Sequence, residues 1–201
     1  GELKDDVIAD VDGNYYRTVV IGSQIWMAEN LRTTKYKDGT DIPYSNGGAN
    51  YRWYNDDITF KKPFGALYRY ETGATGKLAP EGWHVPSVDE WNQLKNYLNS
   101  TGGDVGKALA SVTCWDCSPT PGTVGYDQAS NNRSGFNGLP AGCYLYSHPR
   151  YLGFGKNTYW TTSTKIAVDP FLMSMHHTAP DLEQHYDSEP MALSVRCIKD
   201  S

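Results

Sequence analysis

Only one stretch of this chain carries a sustained helical period, which restricts the fold more than any other feature. Ser87 follows Pro86 and precedes Glu90 by three residues, the spacing of a capping box. Val88, Trp91, Leu94, Tyr97 and Leu98 then recur on one face, and Gly102-Gly103 stops the run. Asp104 stands where it would cap a shorter second helix through Lys107-Ala108-Leu109-Ala110. Everything else reads as short strands between turn signals. Strands over 7–11, 15–21 and 24–28 are separated by Asp12-Gly13 and Gly22-Ser23 and form a meander. Positions 36–82 are loop-rich, with Gly39, Gly47-Gly48, Gly65, Gly73, Gly76 and Gly82 around short aromatic pieces at 51–54 and 66–70. Further strands are expected at 144–146, 158–162, 171–175 and 193–198. With no internal repeat and no linker, the economical reading is one α+β domain over 1–201.

Charge and composition remove several function classes. The net charge is −5 and no basic cluster is longer than Lys61-Lys62, so a nucleic-acid partner is not expected. No apolar run approaches the roughly 20 residues of a membrane-spanning helix. Six Trp and fifteen Tyr against five Phe favour side chains with an apolar body and a polar tip, which suit both sheet cores and wet binding faces. Four cysteines, Cys114, Cys117, Cys143 and Cys197, allow three disulfide connectivities in an exported chain. The opening Gly1-Glu2-Leu3-Lys4-Asp5-Asp6 shows no signal peptide, so export is an inference.

Catalytic patterns are sparse. Cys114-Trp-Asp-Cys117 lies among prolines with no helix after it, which disfavours a thioredoxin-type redox pair. Asp10-Val11-Asp12-Gly13-Asn14 lacks the closing Glu of a calcium loop and reads as a turn. His84 precedes the helix cap and reads as a structural hydrogen-bonder. His176-His177 with Asp181, Glu183 and His185 is the nearest approach to a metal cluster, but adjacent histidines on a strand should face opposite ways. A solvated polar loop is the simpler reading. No nucleophile elbow or phosphate loop is present, Asp56-Asp57 lies in a loop with nothing to fix its separation, and no cofactor is implied.

Four motifs in order carry a resemblance. They are Asp12-Gly13-Asn14-Tyr15-Tyr16-Arg17 running on to Trp26-Met27-Ala28-Glu29-Asn30-Leu31-Arg32, then Pro80-Glu81-Gly82-Trp83-His84-Val85-Pro86-Ser87, then Gly135-Phe136-Asn137-Gly138-Leu139-Pro140-Ala141-Gly142, and finally Ser194-Val195-Arg196-Cys197-Ile198. Tyr159-Trp160-Thr161-Thr162-Ser163 matches a further tryptophan strand. Over about 10–200 the chain resembles the Fibrobacter succinogenes major paralogous domain family. The resemblance implies an exported or lipid-anchored surface domain of Bacteroidetes-type bacteria, with a C-type-lectin-like fold and an adhesin-like role. Its partner would be a glycan or protein at the cell surface, with membrane contact only through an upstream lipid anchor. A structural or tip subunit of a surface assembly is the alternative. The family supplies no catalytic residues to carry over.

It also has Cys where this chain has Ala79, and that Cys is expected to pair with the C-terminal one, here Cys197. With Ala79 in its place, the resemblance implies a Cys143–Cys197 bridge, worth roughly 4 kcal/mol on the chain-entropy model, and a local Cys114–Cys117 bridge. In C-type-lectin-like folds the ligand face is built from second-half loops, here 114–133, 148–156 and 176–190. The implied ligand residues are Trp115, Tyr126, Asn131, Asn132, Arg133, Tyr151, His176, Asp181 and His185, with aromatic faces stacking on sugar C–H surfaces and polar groups meeting the hydroxyls. On that reading Trp115→Ala abolishes glycan binding and leaves folding intact.

Overall fold

In the computed structural model, residues 7–44, 50–148, 150–167 and 169–201 are described. The opening hexapeptide and Gly47-Gly48 lie outside them. The described residues form a mixed α and β structure, mostly antiparallel strands with few short helices. The smaller sheet holds β1 (Val7–Ala9), β2 (Tyr15–Ile21), β3 (Gln24–Met27), β6 (Trp83–His84) and β13 (Ile198–Lys199), in the order β1-β2-β3-β13-β6. The larger contains β4 (Tyr51–Arg52), β5 (Leu67–Arg69), β9 (Asn157–Ile166), β10 (Asp169–His176), β11 (Glu183–Tyr186) and β12 (Met191–Ser194), in the order β11-β10-β9-β12-β5-β4. A hairpin of β7 (Cys143–Leu145) and β8 (Arg150–Leu152) branches from β12.

The meander forms as its turns dictate. Asp10 accepts from the backbone N–H groups of Asp12 and Asn14 and from the Tyr16 hydroxyl, so protein donors occupy its carboxylate and the turn reading holds. The aromatic pieces at 51–54 and 66–70 contribute only two- and three-residue strands. Between and after them lie helical turns α1 (Lys61–Phe64) and α2 (Tyr70–Ala74). The main helix, α3 (Val88–Ser100), has the complete capping box. It buries Val88, Trp91, Leu94 and Leu98, whereas Tyr97 is exposed and lies against the turn glycine Gly22. α4 (Val105–Leu109) forms without a side-chain cap, because Asp104 is left-handed with φ 46°.

Burial explains the motifs. Trp26, Trp91, Phe136 and Trp160 meet in one cluster, with the Trp26 and Trp91 ring centroids 4.8 Å apart. Arg196 is buried beneath them, its guanidinium 4.2 Å from the Phe136 centroid. Asn30 Oδ1 accepts from Trp160 Nε1 at 3.0 Å and from Arg196 Nη2 at 2.9 Å, and Arg196 Nη1 donates to the carbonyls of Met27 and Phe136. Burial lowers Arg196 to about 9, against a weaker opposing pull from Glu29, which leaves it charged at neutral pH. Residues from four sequence motifs thus converge on one buried cation, and their role is structural.

All four cysteines are free thiols, and the two expected bridges are not made. Cys143 lies in a small cluster with Leu145, Leu172 and Leu193. Cys197 lies in a separate one around Tyr16, Tyr68 and Trp83 that also contains Ala79. The side chains of β7 and of the β12–β13 connection feed different clusters, which is why the Cys143–Cys197 pair is not formed. Cys114 and Cys117 are exposed, with Cys114 at φ 74°.

Candidate functional site: a groove at a fork in the larger sheet

The larger sheet splits at β12. Its first residues, Met191 and Ala192, pair with Leu145 and Tyr144 of β7, whereas its last, Ser194, pairs with Trp160 of β9. Gly142, just before β7, bridges to Thr158 of β9. The β7–β8 hairpin and the β9–β10–β11 ribbon therefore diverge from one junction. Gly142 permits it. Its φ is +67°, and a Cβ there would stand 2.3 Å from the carbonyl oxygen of Leu152 and 2.9 Å from the amide nitrogen of Phe154.

A groove of about 800 Å³ runs along this fork, within the size range of ligand clefts. Its floor is largely aliphatic, with Leu145, Leu172 and Cys143 buried and Leu152 and Met191 half-buried. Strand alternation explains which side chains line this face. Met173 and Met175 point into the tryptophan core, so Leu172 and Ser174 point to the groove. Tyr159 also lines it, its hydroxyl accepting from Asn157 Nδ2 at 2.8 Å.

The rim is polar and mostly acidic. Its lining includes Glu183, Asp187 and Glu189 against the single ammonium of Lys156, together with His176 and His185. His185 Nε2 lies 3.3 Å from Glu183, and the Ser147 hydroxyl donates to Glu189. A hollow of about 160 Å³ shares Leu172, Asp187, Glu189 and Met191 with the groove and adds Glu71 and Asp169. Burial, helped by the field of Glu189, pushes the Cys143 thiol up to about 12, so it is protonated at neutral pH and a poor nucleophile. Burial and neighbouring His177 hold His176 below the ordinary histidine value, and its Nδ1 is 2.7 Å from Thr178 Oγ1.

The three expected ligand loops do meet. Gly125 N–H donates to the His177 carbonyl at 2.7 Å, Val124 N–H to Ala179 at 3.1 Å and Asp116 N–H to Gly155 at 2.7 Å. Most of the residues expected to touch ligand instead hold those loops together. Trp115 is 4% exposed, joins the main core and donates to the Gly138 carbonyl, so it offers no stacking face. Asn131 is buried and donates to the carbonyls of Ser111 and Val124. Asn132, left-handed at φ 66°, accepts from Asn137 N–H, and Arg133 donates to the carbonyls of Leu98 in the last turn of α3 and Gly103 beyond it. Tyr151 packs on Tyr54 and Tyr144, with its hydroxyl bonded to Asp56. Asp181 pairs with Lys95 at 2.8 Å. Tyr126 is 40% exposed but is not on the groove. Of the nine, only His176 and His185 line the groove.

The histidine pair also departs from expectation. His176 ends β10 and the chain turns at His177, so the two rings lie 4.8 Å apart rather than on opposite faces. Among the described residues, no three His, Cys, Asp or Glu side chains converge as metal ligands. Two supposed loops contain strands, β8 within 148–156 and β11 within 176–190. β11 is exposed at all four positions, which removes the alternation that marks a strand in sequence.

The family model of the Fibrobacter succinogenes major domain matches residues 19–199, and the chain belongs to that family. No curated protein and no solved structure matches the chain.

Proposed function

We propose that this chain is a non-catalytic, adhesin-like binding module that acts outside the cytoplasm, with its ligand, protein or glycan, in the groove at the sheet fork. The observation that carries the proposal is the groove itself, a cleft with a buried and half-buried aliphatic floor beneath a charged rim. A concave, mostly apolar cleft with a few polar groups at its margin is the usual form of a binding site. The protonated Cys143 and the engaged His176 supply no activated nucleophile or free base, in keeping with binding rather than catalysis. The family resemblance supports a C-type-lectin-like fold and surface display, through an upstream lipid anchor or within a larger assembly.

The test is an array carrying both glycans and peptides, probed with the native chain and with Met191→Lys. Signals held by the native chain and lost by a variant with an unchanged melting transition support the reading. Signals shared by both proteins place the site elsewhere. A second reading, a structural subunit of a surface assembly, is favoured by β11, an exposed strand paired on one side only among the described strands. It predicts concentration-dependent self-association in light scattering, which the binding-module reading does not require.

A further inference from the structure

Building on the binding reading above, we infer that the groove takes an extended, cationic and apolar polypeptide segment of a partner protein. Three observations point the same way. The floor offers Leu145, Leu152, Leu172 and Met191, which suit alkyl side chains, and Tyr186 of β11, 66% exposed, adds an aromatic face to the lining. Trp115, the loop tryptophan, is in the core and does not reach the groove. The rim sets three carboxylates against one ammonium, and the adjoining hollow adds Glu71 and Asp169. Of these two, Glu71 is 3.4 Å from Arg69. The excess of negative charge complements lysine or arginine side chains flanking an apolar stretch.

The strands beside the groove supply the third observation. β8 pairs only with β7, and β11 only with β10, among the described strands. A strand paired on one side presents backbone N–H and C=O groups at the repeat of another extended chain. A polypeptide alternating apolar and basic residues would send one set of side chains to the floor and the other to the rim.

The test titrates the 201-residue chain with three labelled ten-residue peptides, followed by fluorescence anisotropy. One alternates leucine with lysine, one leucine with glutamate and one leucine with serine. The expected result is binding of the lysine peptide that weakens with added salt, at least tenfold weaker binding of the glutamate peptide, and loss of binding in Met191→Lys. Leu152→Lys serves the same purpose if Met191→Lys does not fold. Glu183→Gln and Asp187→Asn should each weaken binding by about two- to fivefold, the range of exposed charge pairs. Equal binding of all three peptides, lost in Met191→Lys, keeps the groove as the site but overturns the cationic ligand. No peptide binding, together with a glycan signal that Met191→Lys abolishes, overturns the polypeptide and keeps the binding module. Peptide binding unaffected by either floor variant overturns the groove as the site.

Discussion

Trp115 and Arg196 show how a residue type that suggests function can be committed to the fold. Trp115 sits in an irregular, cysteine-flanked loop, where an exposed stacking role is a natural expectation, yet its indole is buried and hydrogen-bonded to Gly138. Trp115→Ala should therefore cost about 3–5 kcal/mol of stability, read by denaturant unfolding, in contrast to the intact folding expected of a surface aromatic. Arg196 is the sharper case. Its guanidinium meets Asn30 and two backbone carbonyls while lying against Phe136, a geometry that lysine cannot reproduce. Arg196→Lys should leave buried acceptors unpaired at about 1–3 kcal/mol each, measured in the same way. The motif letters were plain in the sequence. That they meet around one cation was not, because the partners of Arg196 come from positions 27, 30, 136 and 160 and only the fold brings them together.

Among the elements, α3 was legible in detail, because a capping box and a helical period are local signals. The short strands of the meander were legible for the same reason. β11 was not, since an exposed edge strand has no buried face to impose alternation, and β8 was hidden by its brevity. The fork itself depends on Gly142, the last residue of the Gly135–Gly142 motif. Gly142→Ala should destabilise the chain by more than about 1 kcal/mol, since both the left-handed backbone and the contact with Leu152 oppose a side chain. Its melting transition would report this.

The start of α3 is also tied to the C-terminus through His84, whose ring nitrogens lie 2.6 Å from Asp200 and 2.7 Å from Glu90. Burial pushes the imidazole down, but the hydrogen bonds and charges of Asp200 and Glu90 outweigh it, and the net shift is upward. A group raised in the folded state contributes stability below its unfolded value, ordinarily about 6.5, and loses it as pH rises through the higher folded value. Glu90 shifts the other way. Burial raises it, but Ser87 and His84 draw it down on balance, so its contribution fades as pH falls below the ordinary glutamate range. The clasp is thus strongest in mildly acidic solution. His84→Gln should flatten the loss of stability on the alkaline side, by less than about 1 kcal/mol because the pair is partly exposed.

At the scale of the whole molecule, the groove follows from a topological choice. A sheet whose central strand changes partners cannot stay flat, and the space between the two diverging ribbons becomes a groove with its own apolar floor. The expected ligand loops lie next to this groove and brace one another. On the proposed reading recognition falls on strand faces, with His176, Glu183 and His185, all singled out in the sequence, on the groove lining. The proposed groove site is tested most directly by following the backbone amide resonances of the chain during titration with the leucine–lysine peptide. The predicted result is a set of shifts concentrated on β8, β9, β10 and β11 and the segment 187–191. Shifts confined to the 114–133 loop, with those strands unmoved, would contradict it.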